Sequence, residues 1–145
     1  MNPKDFFTAE QKAQIEVAIT EAEKLTSGEI RLHLDRICKD DVLKQAVKIF
    51  TKLGMEKTER RNGVLFYLSI DDRKFAVIGD KGINEVVPAD FWDDIYQTIV
   101  SYFKTEKYTE GLCWAILEAG KHLASHFPIQ ADDTNELTNE ISFEK

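Results

Sequence analysis

Cysteine is scarce in this chain: Cys38 and Cys113 stand far apart and in no CxxC pair. Two isolated thiols can neither staple a disulfide scaffold nor build a thiolate metal cage, so both are read as reduced packing residues. Long apolar runs are also missing. No stretch reaches bilayer-spanning length, and the start Met-Asn-Pro-Lys-Asp-Phe-Phe-Thr lacks the basic-then-apolar pattern of a secretory signal. A soluble, cytoplasmic protein with no membrane insertion is therefore expected. Positive charge is in deficit, at a net −7, and no basic patch is interleaved with aromatics. Phosphate backbones are gripped by Lys and Arg that displace counterions, so nucleic acid is excluded as a partner, whereas cations suit the charge. Familiar catalytic signatures are missing as well. There is no GxSxG elbow, P-loop, HExxH helix, 12-residue EF-hand loop or thiol-phosphatase loop, and Asp71-Asp72-Arg73 lacks the DxD spacing of aspartyl-phosphate chemistry.

What is present points to one α/β domain over 1–127, followed by an acidic tail over 128–145. With 145 residues and 43% hydrophobic side chains, one real core is available. The most informative stretch runs from Asn62 to Asp80. Val64, Phe66, Leu68 and Ile70 face one side of a strand and Leu65 and Tyr67 the other, as in a central strand buried on both faces. Phe75 to Ile78 repeats the pattern after a short connection, so the two strands form an antiparallel hairpin. Asp71 and Asp80 then lie at opposite ends of the sheet, roughly 20 to 30 Å apart, and cannot share an ion.

Upstream, Thr8-Ala-Glu-Gln11 has the form of a capping box, followed by Ile15, Ala18, Ile19, Ala22 and Leu25 at helical spacing. Glu29 to Asp35 alternates strictly, with Ile30, Leu32 and Leu34 against Glu29, Arg31, His33 and Asp35, which describes a strand near an edge with one polar face. Asp40 or Asp41 caps a second helix carrying Leu43, Ala46, Val47, Phe50 and Leu53, and Met55 to Arg61 reads as a charged loop. Strand, helix, strand implies a crossover that leaves the first two strands parallel. Pro88 opens a third helix through Ile95 and Ile99, and a fourth carries Leu112, Ile116 and Leu123, with Gly111 and Gly120 marking close contacts. The expected architecture is a three-layer α/β/α, Rossmann-like sandwich in which about four helices flank a small mixed sheet. Past Pro128 the tail is expected to be flexible, although Leu137, Ile141 and Phe143 offer a dock for the body or for a protein partner.

This topology sorts the carboxylates. At the end where the hairpin turns lie Asp35, Asp71 and Asp72, flanked by Arg36 and Arg73. At the opposite, loop end lie Glu29 and Asp80, joined by Asp90 and Asp93 from the start of the third helix. Ca²⁺ and Mg²⁺ take several oxygen ligands, so Glu29, Asp80, Asp90 and Asp93 form the first candidate metal site and Asp35, Asp71 and Asp72 the second. Turn chemistry and helix dipoles explain the same residues without a metal. His122 and His126, four apart, lack an evident third ligand, and they and His33 are read as non-ligating.

Ser27-Gly-Glu-Ile-Arg31, Arg61-Asn-Gly-Val-Leu-Phe-Tyr67, Asp71-Asp-Arg-Lys-Phe75, Ile78-Gly-Asp-Lys-Gly-Ile83, Asp90-Phe-Trp92 and Tyr108-Thr-Glu-Gly-Leu112 occur together and in order. As a set they resemble the TPM domain family across about residues 8 to 127. The resemblance implies a Rossmann-like sandwich, divalent-metal binding, notably of calcium, and the acid phosphatase activity of plant members. Two departures stand out. The signal peptide, membrane helix and Gly-rich tail of many members are not seen in this chain, and Arg60-Arg61 stands where the family often carries an aspartate.

Overall fold

The computed structural model describes residues 2–129 and 137–144. Four strands form one sheet in the order β3-β2-β1-β4, where β1 is Glu29–Asp35, β2 Gly63–Ser69, β3 Lys74–Gly79 and β4 Ser142–Phe143. β1 and β2 are parallel, with Glu29 opposite Gly63 and Asp35 opposite Ser69, while β3 returns antiparallel to β2. Six α-helices accompany the sheet among the described residues. They are α1 (Pro3–Phe6), α2 (Ala9–Glu23), α3 (Val42–Lys52), α4 (Lys81–Asn84), α5 (Asp93–Lys104) and α6 (Tyr108–Ala124). The four long ones are the expected flanking helices, and α1 and α4 are single turns.

The alternation of side chains builds the layers. Ile30, Leu32, Leu34, Val64, Phe66, Phe75 and Val77 enter the main core with Ile15 and Ile19 of α2, Ile95 and Ile99 of α5, and Leu112 and Ile116 of α6. Leu65, Tyr67 and Ala76 turn the other way, onto Ala46, Ile49 and Phe50 of α3. Every residue of β2 is buried, as its two-faced hydrophobicity requires. At about 1.5–3 kcal/mol for each large apolar side chain fully buried, this strand anchors both cores.

Local chemistry sets the helix ends. Thr8 Oγ1 accepts from Gln11 N at 3.1 Å and Gln11 Oε1 from Thr8 N at 2.9 Å, completing the capping box of α2. Asp41 caps α3 through Lys44 N. The two glycines of α6 answer to different neighbours. A Cβ at Gly111 would lie 2.7 Å from Tyr102 Cβ, and one at Gly120 would lie 2.9 Å from Ala22 Cβ, so α6 is wedged closely against both α5 and α2.

Several features differ from the sequence expectation. α5 begins at Asp93, not Pro88, because Phe91 N donates to Pro88 O and Asp93 N to Asp90 O, closing turns before the helix starts. Met55 is fully buried at the head of a 3-10 turn, so the charged loop is pinned by one apolar anchor. The polar side of β1 is inside the molecule, with Glu29, His33 and Asp35 all buried. β1 is not the edge. The end of the tail docks beside it, with Ser142 and Phe143 pairing to His33 and Leu34, Ile141 buried in the main core, and Leu137 on the α3-side core. An open strand edge has unpaired N–H and C=O groups that need partners, and the alternation Ile141-Ser142-Phe143 supplies a strand to match. Asp132, Asp133 and Glu136 of the acidic tail lie outside the described residues. No helix among the described residues is long and apolar enough to cross a membrane.

Candidate functional site

At the loop end Asp80 is held tightly. It caps α4, its Oδ1 accepting from Lys81 N at 2.7 Å, and Arg61 grips both oxygens, Nε to Oδ2 at 2.8 Å and an amino group to Oδ1 at 2.9 Å. This bidentate fork is the strongest geometry open to an Arg–carboxylate pair. Arg61 is itself in the left-handed region, at φ 51, and its carbonyl accepts from Gly82 N. Gly82 makes the approach feasible, since a Cβ there would stand 2.2 Å from Arg60 O. Its role is therefore to let the start of α4 dock on the 60–61 carbonyls.

The remaining loop-end carboxylates are deployed elsewhere. Glu29 is buried and hydrogen-bonded to Glu23, whose Oε2 also accepts from Ile30 N at 2.7 Å on the edge of β1 beyond β4. Burial above all, then the Glu29 charge and hydrogen bond, push the Glu23 carboxyl up to about 8 against the opposing pull of the Ile30 N–H. Asp90 and Asp93 are exposed, one in the turn before α5 and the other in its first turn. Among the described residues no three His, Cys, Asp or Glu side chains are gathered closely enough to hold a metal ion. Glu29, Asp80, Asp90 and Asp93 share an end of the sheet without forming such a group.

Two other carboxylates line the same cleft as Asp80, spaced too widely to form such a group. A cleft of about 620 Å³ between α3, β3 and α4 is lined by Glu56, Asp80 and Glu85 around Arg61, with Val47, Phe50 and Ile78 as its apolar wall. Glu56 Oε2 is buried without a hydrogen-bond partner. Carboxylate oxygens are the donors a hard cation takes, but here Arg61 already covers both oxygens of Asp80.

The hairpin end is wired differently. Asp35 accepts from His33 Nε2 at 2.6 Å, Tyr67 OH at 2.6 Å and Gln45 Nε2 at 3.2 Å. An ionised carboxylate only accepts, so His33 Nε2 carries a proton, while Nδ1 faces Ser142 Oγ at 2.9 Å. Burial works to raise the Asp35 pKa, but the hydrogen bonds and charge of His33, with Tyr67 and Gln45, outweigh it and hold the carboxyl below its usual range. Tyr67 is pushed upward, by burial first and then by Asp35. Asp72 accepts from Cys38 N at 2.9 Å and from the Ser69 hydroxyl, tying the β1–α3 loop to the hairpin, whereas Asp71 is exposed. These contacts commit Asp35 and Asp72 to structure.

Ser142, His33 and Asp35 have the composition of a hydrolase triad, but composition is not access. His33 and Asp35 are buried, and the neighbouring cleft of about 600 Å³ is lined by Arg36, Gln45 and Glu144 but by neither His33 nor Ser142. His122 and His126 flank the Phe91 ring, with His122 also 3.5 Å from Glu118. Both cysteines are free. Sequence reasoning singled out Arg60-Arg61 as a change of charge but missed the pairing of Arg61 with Asp80, along with Glu56, Glu85 and the Tyr67–Asp35 bond. The signal for the first was the hairpin register, which sets Gly63 against Asp80 and therefore Arg61 beside the start of α4.

Fold and sequence agree on the class: the TPM domain model matches residues 1–121, and the chain belongs to the TPM domain family. Among solved structures it is similar to the BA42 protein of the psychrophilic bacterium Bizionia argentinensis, at 45% identity and TM-score 0.92 over 97% of each chain. The N-terminal domain of a P. gingivalis protein shares the fold at 18% identity and TM-score 0.69, over 85% of this chain and 80% of that one. The N-terminal domain of cg2496 from Corynebacterium glutamicum shares it at 11% and 0.66, over 97% and 81%. A search of curated proteins found no match.

Proposed function

We propose that this TPM domain binds a divalent cation, Ca²⁺ or Mg²⁺, in the loop-end cleft, with Asp80 as the fixed carboxylate and Arg61 as a built-in competitor for it. One observation carries the reading: Glu56, Asp80 and Glu85 line a single cleft around one guanidinium, and Glu56 leaves a buried oxygen unmet. The Arg61 side chain is 45% exposed, so releasing it to water sacrifices little compared with releasing a buried partner. Glu56 and Glu85 replace Glu29, Asp90 and Asp93 in this site. Phosphomonoester hydrolysis is the other activity implied by the resemblance, and no observation in this cleft favours it over cation binding.

The test is a residue-resolved amide NMR titration of chelator-stripped protein with Ca²⁺ and then Mg²⁺, in wild type, Arg61→Gln and Asp80→Asn. Saturable shifts over Gly79 to Glu85 are expected, tighter in Arg61→Gln and lost in Asp80→Asn. Absence of saturable shifts in both wild type and Arg61→Gln would remove the cation-binding reading.

A further inference from the structure

A second cleft lies at the opposite end of the sheet, between the β2–β3 hairpin and α5, with a volume of about 230 Å³. Its walls are aromatic. Phe75 lies 5.8 Å from Tyr96 and meets Phe103 edge-on at 5.4 Å, and Phe103 lies 5.0 Å from Tyr108. Leu68 and Val100 complete an apolar interior that offers ring faces and edges to a planar guest.

The rim carries the opposite chemistry. Arg73 and Lys104 both line the opening, and Lys104 has no ion-pair partner among the described residues. Arg73 is bridged to Glu106 at 3.7 Å, an exposed pair that a competing anion can replace at little expense. Arg73 and Glu106 are both non-glycine residues in the left-handed region, at φ 53 and φ 60, so each sits in a tight turn.

We propose that this cleft binds a small planar aromatic carboxylate, its ring against Phe75, Tyr96 and Phe103 and its carboxylate between Arg73 and Lys104. An apolar pocket that binds through its walls alone would be indifferent to the ligand's charge, and a basic rim alone would be indifferent to the ring. Joining the two defines the ligand class. Glu106 competes for the same cation, so it opposes binding.

The probe is indole-3-acetate, titrated into the full chain and followed by amide NMR, with indole-3-acetamide and cyclohexylacetate as comparators. Saturable shifts are expected over Arg73 to Phe75, Tyr96 to Lys104 and Tyr108, weaker for both comparators. Tyr96 is 43% exposed, so Tyr96→Ala keeps the fold while removing a wall, and binding is expected to be lost. Arg73→Gln with Lys104→Gln should weaken binding roughly tenfold, and Glu106→Gln should tighten it. Asp80→Asn, at the other end, should leave it unchanged. The proposal is overturned if indole-3-acetate gives no saturable shift at millimolar concentration, if the amide binds as tightly as the acid, or if Tyr96→Ala binds as well as wild type.

Discussion

The two ends of the sheet carry similar carboxylates and treat them in opposite ways. At the hairpin end Asp35 is surrounded by buried donors on three elements, His33 on β1, Tyr67 on β2 and Gln45 on α3, all within the fold. At the loop end Asp80, equally buried, is answered by a charged fork whose carrier stands half in water. A carboxylate satisfied by several buried donors is a structural lock, because removing it strands several groups at once. One satisfied by an exposed cation is exchangeable, because its partner can return to solvent. What satisfies the oxygens, more than burial, separates a locked carboxylate from an exchangeable one.

The contrast predicts unequal mutational effects. Asp35→Ala should destabilise by about 3 kcal/mol in denaturant unfolding, since His33, Tyr67 and Gln45 lose a shared acceptor in the interior. Asp80→Ala should lose only about 1 kcal/mol, the value of a helix cap and an exposed-partner ion pair. Equal losses would break the comparison. Asp35 also adds an acid dependence: its folded pKa lies below the ordinary 3.8, so its stabilisation is present above that value and disappears as pH falls through the folded pKa. The acid limb of the stability curve should therefore be shallower in Asp35→Asn.

Between these extremes lies Gly82→Ala, expected to destabilise by about 2 kcal/mol, because the obstacle is the Arg60 carbonyl and not a movable side chain. It should also disturb the Arg61–Asp80 fork, visible as a change in the Arg61 Nε resonance. Glu23→Gln tests the carboxyl pair on the edge of β1. With the Glu23 pKa raised from 4.5 to about 8, the folded state holds an extra proton across that window and stability falls as pH rises through it. Glu23→Gln should flatten that decline, read from urea midpoints against pH. The smallest effect is expected from Arg61→Gln, within about 1 kcal/mol of wild type at neutral pH, which is what an exchangeable partner requires.

Much of the fold was legible because its signals are local. Val64 to Leu68 announces a strand buried on both faces, Thr8 and Gln11 announce a helix start, and the strand-helix-strand order fixes parallel β1 and β2. The start of α5 was misread because Pro88 favours a helix start in general, whereas here the residues up to Asp93 close turns. The candidate site was half legible. Asp80 could be assigned to the loop end from the hairpin alone, but that Glu56 and Glu85 line its cleft while Asp90 and Asp93 stay exposed depends on how α3, α4 and the 55–61 loop pack beside β3. The polar face of β1 shows the same limit. Alternation gave His33 and Asp35 a shared side, and only the docking of residues 137–144 and α3 turned that side into an interior network.

By itself the sequence determined the elements, their order and the end of the sheet at which each carboxylate falls, since side-chain period and chain connectivity are properties of neighbours along the chain. Tertiary structure alone decided which partner reaches each oxygen. The Arg61 fork on Asp80, the Tyr67 hydroxyl on Asp35 and Ser142 beside His33 join residues 19, 32 and 109 positions apart. Hydrogen bonds and ion pairs depend on ångström-scale approach, and that approach is set by packing between elements, which no local pattern encodes.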